Sequence, residues 1–219
     1  MPRAKGGNAP VDPAVFGDAQ SVESLDVLVA GAELELVRLS GDRADVEAPR
    51  LSLDTVRCDA LHIPGARLAR LQGHTTWWED CDLSNADLAG AGLRHCVMRR
   101  TRLTGVSFAE ASLRDALVED CKLDLANLRF AHLERVTFRN CGLADADFSG
   151  STQRTVRYEG CDLRAAQFSQ ARLDRVDLRG SRLEGIGGIG DLRGARIGNE
   201  QLLELAPALA AHLGLRVED

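Results

Sequence analysis

Apolar residues recur along this chain with a period of five. Over residues 81–185 the frame contains no insertion and gives 21 consecutive five-residue units. The first residue of every unit is Ala, Cys, Val, Ser or Thr, and the third is Leu, Phe, Met or Val in 19 units. This period fits neither a helix, with 3.6 residues per turn, nor an alternating strand. The pattern therefore predicts a solenoid, in which neighbouring units stack and share one core.

Two side chains of each unit are predicted to point into this core, because only the first and third residues are regularly small or apolar. The first residue fits tightly, and the third fills the interior. Predicted core residues at the small position include Cys81, Ala86, Ala126, Cys141, Ala146 and Cys161. Predicted core residues at the filling position include Leu83, Leu88, Phe108, Leu128, Phe148 and Phe168.

The units also resemble a known repeat. Ala86-Asp87-Leu88 and Ala126-Asn127-Leu128 match the A(D/N)LXX pattern of the pentapeptide repeat family, and 105 contiguous residues follow the frame. The resemblance implies an all-β fold, a right-handed quadrilateral β-helix with four units per turn. A second period of 20 residues supports four sides, since residues of similar size recur at that spacing. The recurring sets include Cys121, Cys141 and Cys161, as well as the pairs Phe148 with Phe168 and Phe138 with Tyr158.

The chain divides into three segments by composition. Residues 1–24 contain three Pro and three Gly without an apolar period, so we expect a flexible N-terminal arm. Residues 25–198 are assigned to the β-helix, with irregular first turns and the regular frame at 81–185. Trp77 falls between inward positions of this frame, so it is predicted to point outward as an interface candidate.

Residues 199–214 are predicted to form a capping and dimerisation helix. Asn199 suits an N-cap and Gly214 a stop, whereas Pro207 is expected to break or kink the helix, because it lacks an amide hydrogen. One apolar set, Leu202, Leu205 and Leu209, would cover the open end of the coil. A neighbouring set, Leu203, Ala210 and Leu213, would be left in water in a monomer. A homodimer would bury both sets. The predicted dimer residues are Leu202, Leu203, Leu205, Leu209 and Leu213.

The sequence contains no GxSxG, HExxH or GK[ST] segment. Gly185, Gly187 and Gly190 formally match GxGxxG, but no βαβ unit surrounds them, so we expect a corner or bulge there rather than a dinucleotide-binding loop. Its five His fall in no metal spacing, and five of its six Cys occupy the small inward position. Reduced structural thiols and a cytoplasmic location are therefore expected, since residues 1–10 resemble no signal peptide and no apolar run could span a membrane. We expect no catalytic site, no cofactor, no metal and no small-molecule substrate, and an enzyme or metal protein is disfavoured.

Charge is unevenly distributed. The chain carries 27 Lys and Arg against 33 Asp and Glu, a net charge of −6. Residues 81–185 carry 16 basic and 15 acidic side chains, whereas residues 1–80 carry 8 and 13. Duplex DNA carries about one negative charge per 1.7 Å, so the regular turns do not imitate it. The predicted side that contains Leu93, Leu113 and Leu133 even carries more Arg than acidic residues on its outward surface. The possible partner contacts are Asp42, Asp45, Glu47, Trp77, Arg94 and Arg114.

The sequence therefore predicts a non-catalytic scaffold that binds an unidentified macromolecular partner through the sides of a rigid coil. The family resemblance implies a more specific alternative, a DNA-mimicking modulator of a type II topoisomerase, DNA gyrase, that protects against quinolones or other gyrase toxins. In that case the acidic first turns would supply the contact. Direct binding of nucleic acid by the Arg-rich side is a further alternative, weakened by the interleaved carboxylates.

Overall fold

The chain winds into a four-sided parallel β-helix of about eight turns followed by one α-helix, which confirms the predicted fold. These features come from a computed structural model that describes residues 11–22 and 24–216. The strands are β1 (Gln20–Ser21), β2 (Glu33–Glu35), β3 (Val37–Asp42), β4 (Ser52–His62), β5 (Gln72–Glu79), β6 (Gly92–Arg99), β7 (Ser112–Glu119), β8 (His132–Arg139), β9 (Thr152–Arg154), β10 (Arg157–Glu159) and β11 (Arg172–Asp174). Helical segments are the 3-10 helices Pro13–Phe16, Leu25–Val27 and Ile189–Asp191, and α1 (Asn199–His212).

Each regular turn takes 20 residues, as the pairing of Leu93 with Leu113 in β6 and β7 shows. The four sides are named here after the inward residues of one turn: the Leu83 side, the Leu88 side, the Leu93 side and the Met98 side. Strands β5 to β8 each cover the Leu93 side, pass a corner and continue along the Met98 side. On the other two sides the turns pair through isolated bridges.

Corners are made by the fifth residue of a unit in the left-handed conformation. Asn85 has a φ of 57° and His95 a φ of 51°. Gly, Asn and Asp tolerate this conformation best, which explains why they are frequent at the fifth place. Even the β-branched Thr75 is held there, at 54°. Because backbone bonds to the next turn hold many of these corners, as at Asn85 and Gly105, the coil imposes a conformation that the residue alone would disfavour.

The residues predicted to fill the coil lie in its core, each 0% to 3% exposed. Aromatic rings stack between turns, with centroids 5.1 Å apart for Phe138 and Tyr158 and 4.9 Å apart for Phe148 and Phe168. Two units lack Leu, Phe, Met or Val at the third place, those with Gln153 and Tyr158, and their side chains bond to each other. The Tyr158 hydroxyl donates to Gln153 Oε1 at 2.9 Å. Each exception therefore satisfies the other's buried polar group.

The N-terminal segment differs from the expected flexible arm wherever it is described. Residues 1–10 lie outside the described part of the chain. Asp12 caps the 3-10 helix Pro13–Phe16, and β1 then pairs with β3. Phe16 is fully buried, and Val11 and Ala19 pack beside it. The segment is ordered because its apolar side chains cover an apolar strip on the outside of the coil.

The C-terminal helix is one continuous element, so the predicted break at Pro207 was wrong. Pro207 deprives the Leu203 carbonyl of its partner in the helix, but both residues lie on the exposed side, where water can replace that bond. Gly198 rather than Asn199 is the N-cap, and its amide donates to Gln201 Oε1 at 2.7 Å. The helix ends at His212, followed by Gly214 in the left-handed conformation, as the stop signal predicts.

The end of the coil is closed by a polar residue that the sequence interpretation overlooked. Gln201 Nε2 donates to the carbonyls of Leu178 and Ser181, at 2.7 Å each. These carbonyls belong to the last turns, and the side-chain amide supplies the donors that another turn would have supplied. Leu205 lies beside it at 3% exposure, whereas Leu202, expected in the capping set, is 49% exposed. The carbonyls therefore decide which helix face turns inward.

Candidate interaction surface

Outward side chains form ladders along the coil, because residues 20 apart stand on neighbouring turns. Ion pairs connect many of them, with Arg100 Nε 2.8 Å from Asp80 Oδ1 and Arg139 Nη1 2.9 Å from Glu119 Oε1. Exposed pairs of this kind each contribute little stability. Their main effect is on the surface, where most of the opposite charges neutralise each other locally.

The three acidic contacts predicted on the first turn are exposed but do not form an unbroken acidic field. Asp42 Oδ1 lies 2.8 Å from the Nδ1 of His62, and Glu47 Oε1 lies 2.6 Å from the Nη1 of Arg67. Asp45 stands at a corner, with a φ of 53°. Two of the three carboxylates thus have a basic neighbour on the next turn.

Trp77 does not project into solvent as expected. Its side chain points away from the coil interior but is only 2% exposed, because the N-terminal segment covers it. The Phe16 ring meets the indole edge to face at 6.4 Å, and the indole Nε1 donates to Glu79 Oε2 at 3.0 Å. Arg57 and Arg99 lie over the indole, 5.4 and 5.0 Å from the ring centroid. Trp77 is therefore a contact within the chain.

Arg94 and Arg114 lie side by side on the Leu93 side, in register on β6 and β7. Both line an open depression of about 420 Å³, whose lining also includes Gln72, His74 and Gly92. At the neighbouring corner, Arg135 bonds to both oxygens of Asp115, at 2.6 and 2.9 Å. This pairing holds the pKa of Asp115 below its usual value, and the charges of His95 and Arg94 act in the same direction.

The thiols have no access to a substrate. All six cysteines are buried and free. Burial raises the pKa of Cys81 to about 11 and that of Cys96 to about 12. A thiol with such a pKa is protonated at neutral pH and is a poor nucleophile or metal ligand. Within residues 11–22 and 24–216, no group of three or more His, Cys, Asp or Glu is placed to hold a metal ion.

Helix α1 presents the predicted dimer residues unequally. Leu203 and Leu213 are 76% and 69% exposed, and Leu202 is half exposed. Leu205 and Leu209 instead pack against the coil. The helix is 14 residues long, and no helix of the described chain has the length and apolarity needed to cross a bilayer.

Within the regular frame, two exposed apolar residues were missed, Leu125 and Phe130 at neighbouring corners of the Leu88 side. The Phe130 ring occupies the space beside Gly150, where an added Cβ would lie 2.5 Å from two ring atoms. Arg129 lies over the ring, 5.7 Å from its centroid. The sequence could have revealed both residues, because no other unit of the regular frame has a large apolar residue at the fifth place.

Comparison with known proteins points to one family. The family described as "Pentapeptide repeat region" matches residues 73–148 and 119–187. Two trypsin-treated variants of QnrB1, described as a plasmid-mediated fluoroquinolone resistance protein, are similar in structure. The first is 21% identical in sequence, and the match covers 91% of this chain and 95% of the QnrB1 chain with a TM-score of 0.51. The second is 20% identical, and the match covers 91% of this chain and 96% of the QnrB1 chain with a TM-score of 0.49. No curated protein sequence matches this chain significantly.

Proposed function

This chain belongs to the pentapeptide repeat family, and we propose that it acts as a non-catalytic scaffold that binds a macromolecular partner through the sides of its coil. The observation that carries the proposal is the fixed register of its outward side chains. Strands β4 to β8 align in register, and corners such as Asn85 and Gly105 donate their backbone amides to the next turn. A surface ordered before binding loses little conformational entropy when a partner docks.

Affinity capture tests this function directly. The full chain, immobilised through an added C-terminal tag, should retain a partner from native lysate at a constant stoichiometry. An unrelated β-helix protein of similar size and net charge serves as the control bait. Recovery of the same proteins on both baits would contradict a specific scaffold function. Turnover of a substrate by the purified chain would contradict its non-catalytic character.

DNA gyrase is the more specific candidate partner. The supporting observation is the fold shared with QnrB1, which is described as a fluoroquinolone resistance protein. The regular turns carry paired charges of both signs, so mimicry of DNA would have to use the first turn, with Asp42, Asp45 and Glu47. Five turns of such a mimic would need roughly fifteen unpaired negative charges, at one per 1.7 Å over about 25 Å.

A supercoiling assay tests the gyrase candidate. If it holds, the protein inhibits supercoiling at micromolar concentration, and added salt weakens the effect. Combined Asp42→Asn, Asp45→Asn and Glu47→Gln should then abolish inhibition. The control combines Glu110→Gln, Asp145→Asn and Glu184→Gln, which removes as many charges from other turns. Absence of inhibition by the folded wild-type chain would exclude gyrase and leave the general scaffold function.

The proposed scaffold is a homodimer joined through α1 and located in the cytoplasm. Leu203 and Leu213 support the dimer, since both are apolar and exposed in the single chain. Buried free thiols support a reducing compartment. Light scattering should give twice the chain mass for the wild type and the single mass for Leu203→Asp with Leu213→Asp. A monomeric wild type would refute the dimer, and a dimeric variant would place its interface elsewhere.

A further inference from the structure

A ladder of seven charged residues runs along the Leu93 side. We call it the Arg94 ladder. Its members, in register on successive turns, are Asp54, His74, Arg94, Arg114, Glu134, Arg154 and Asp174.

Almost every basic residue of this ladder has an acidic neighbour. In the first pair, His74 Nδ1 lies 3.4 Å from Asp54 Oδ1. Arg114 lies 3.3 Å from Glu134, and Arg154 lies 3.3 Å from Asp174. Arg94 is the remaining member, and it forms no ion pair within 4 Å among the described residues. The centre of the ladder therefore carries a positive charge without a direct ion-pair partner, although this charge also acts on Asp115 at the neighbouring corner.

Arg94 also faces a like charge. Its aligned neighbour is Arg114, and adjacent strands are separated by roughly 4.8 Å. Like charges directly opposite each other destabilise a sheet. An anion placed between the two guanidinium groups would remove this repulsion, and it would receive charge-assisted hydrogen bonds from planar donors suited to a carboxylate.

The surface next to these arginines has room for such a group. The lining of the depression of about 420 Å³ includes three basic residues, Arg94, Arg114 and His74, and one acidic residue, Asp54. The next outward column contains the small residues Gly92 and Ser112, which leave the surface beside the arginines uncovered. A Cβ at Gly92 would lie 2.4 Å from Gln72 Oε1, so a larger residue there would displace the Gln72 amide. The unpaired arginine thus borders an accessible recess.

The flanking charges favour a short acidic segment over a nucleic acid. Asp54 and Glu134 terminate the basic part of the ladder on both sides, and Asp115 stands at the adjoining corner. A phosphodiester chain following the coil would pass these carboxylates, with about one charge per 1.7 Å in duplex form. One or two carboxylate side chains would meet only the two acidic residues that border the recess, Asp54 in its lining and Glu134 beside Arg114.

We propose that Arg94 and Arg114 form a binding site for carboxylate side chains of an acidic segment in a protein partner. The site rests on the proposed scaffold function and specifies the chemistry of the partner. Arg94 supplies the free charge, and Arg114 is shared between the ligand and Glu134. His74 and Ser112 border the recess and set its width.

Fluorescence anisotropy with labelled hexaglutamate tests the site on the full chain. We expect saturable binding that weakens as salt is added. Arg94→Gln should reduce the affinity at least tenfold. Arg154→Gln is the matched control, because it removes the same charge from the same ladder, where Asp174 already compensates it. The control should remain within twofold of the wild type, and circular dichroism should show both variants folded.

Several outcomes would overturn the proposal. These are absence of binding at millimolar peptide, an equal loss in Arg94→Gln and Arg154→Gln, or displacement of the peptide by inorganic phosphate at lower concentration than by glutamate. Tighter, Arg94-dependent binding of an oligonucleotide of equal charge would make this a nucleic-acid site instead. In lysate capture, retention of the partner by Arg94→Gln at the wild-type level would refute the site and leave the scaffold function standing. Failure of the wild type to retain any partner would refute the scaffold function itself.

Discussion

The Leu93 side and the Met98 side share the same strands but have opposite surfaces. On the Met98 side, the first outward column includes Trp77, Val97 and Leu117, all buried beneath the N-terminal segment. The corresponding column of the Leu93 side includes Gln72, Gly92 and Ser112 and remains open. The comparison shows that the backbone repeat leaves outward residues free to differ. An apolar column is covered by the chain itself, whereas a polar column stays available to a partner.

Burial explains the difference. Apolar surface removed from water stabilises by about 25 cal/mol per Å², which is enough to hold a short segment that also gains specific contacts. Arg38 Nη2 donates to the Phe16 carbonyl at 3.0 Å, and the backbone amide of Gln20 donates to the Leu36 carbonyl at 2.8 Å. No comparable gain is available above the Arg94 ladder, whose side chains are charged and exposed or partly exposed.

The largest expected effect comes from emptying the covered column. Trp77→Ala should destabilise the protein by about 3 to 5 kcal/mol, because it leaves a cavity beneath Phe16. The matched change on the open side of the same strand is His74→Ala, which should stay within about 0.5 kcal/mol. Urea unfolding of both variants measures the difference. Equal midpoints would mean that the two sides do not differ in the way described.

Substitutions at inward positions should cost the same stability on both sides. Ala111→Leu on the Leu93 side and Ala116→Leu on the Met98 side both overfill a small core position, and each should cost about 1 to 3 kcal/mol. Thermal unfolding compares the two variants. If one side accommodates Leu without loss, the four-sided core is not uniformly packed.

The smallest expected effect is a pH dependence on the open side. Arg135 lowers the folded-state pKa of Asp115, so the pair contributes stability that is fully present above the unfolded value of about 3.9. That stability is lost as the pH falls through the lower folded-state pKa. Because both groups are partly exposed, the contribution should be below about 1 kcal/mol.

Unfolding free energies of the wild type and Arg135→Gln, measured between pH 2 and pH 7, test this dependence. The variant should be less stable at neutral pH and should approach the wild type in acid. A difference that stays constant across this range would show that Arg135 acts by packing rather than through the charge of Asp115.

Residue spacing was enough to predict a stacked solenoid, whereas its right-handed, four-sided form was implied by the family resemblance. Small and large inward residues in units of five leave no other way to bury 21 such pairs than a stacked core. The helix after residue 198 also followed from local signals, since its apolar spacing and Gly214 act within a few residues. Gln153 and Tyr158 stood out as the exceptions in the third-place pattern, but the sequence did not show that they bond to each other.

Only the tertiary structure decided which outward residues are covered, paired or free. Trp77 and Phe16 are 61 positions apart, so no local pattern predicts that one buries the other. Gln201 closes the coil because the last turns leave carbonyls without donors, a requirement that exists only once the coil has formed. Arg94 is likewise ordinary in sequence. It becomes a candidate binding residue because stacking gives each neighbouring basic residue of its ladder a carboxylate and leaves Arg94 beside another arginine, and that balance of charges is set in space.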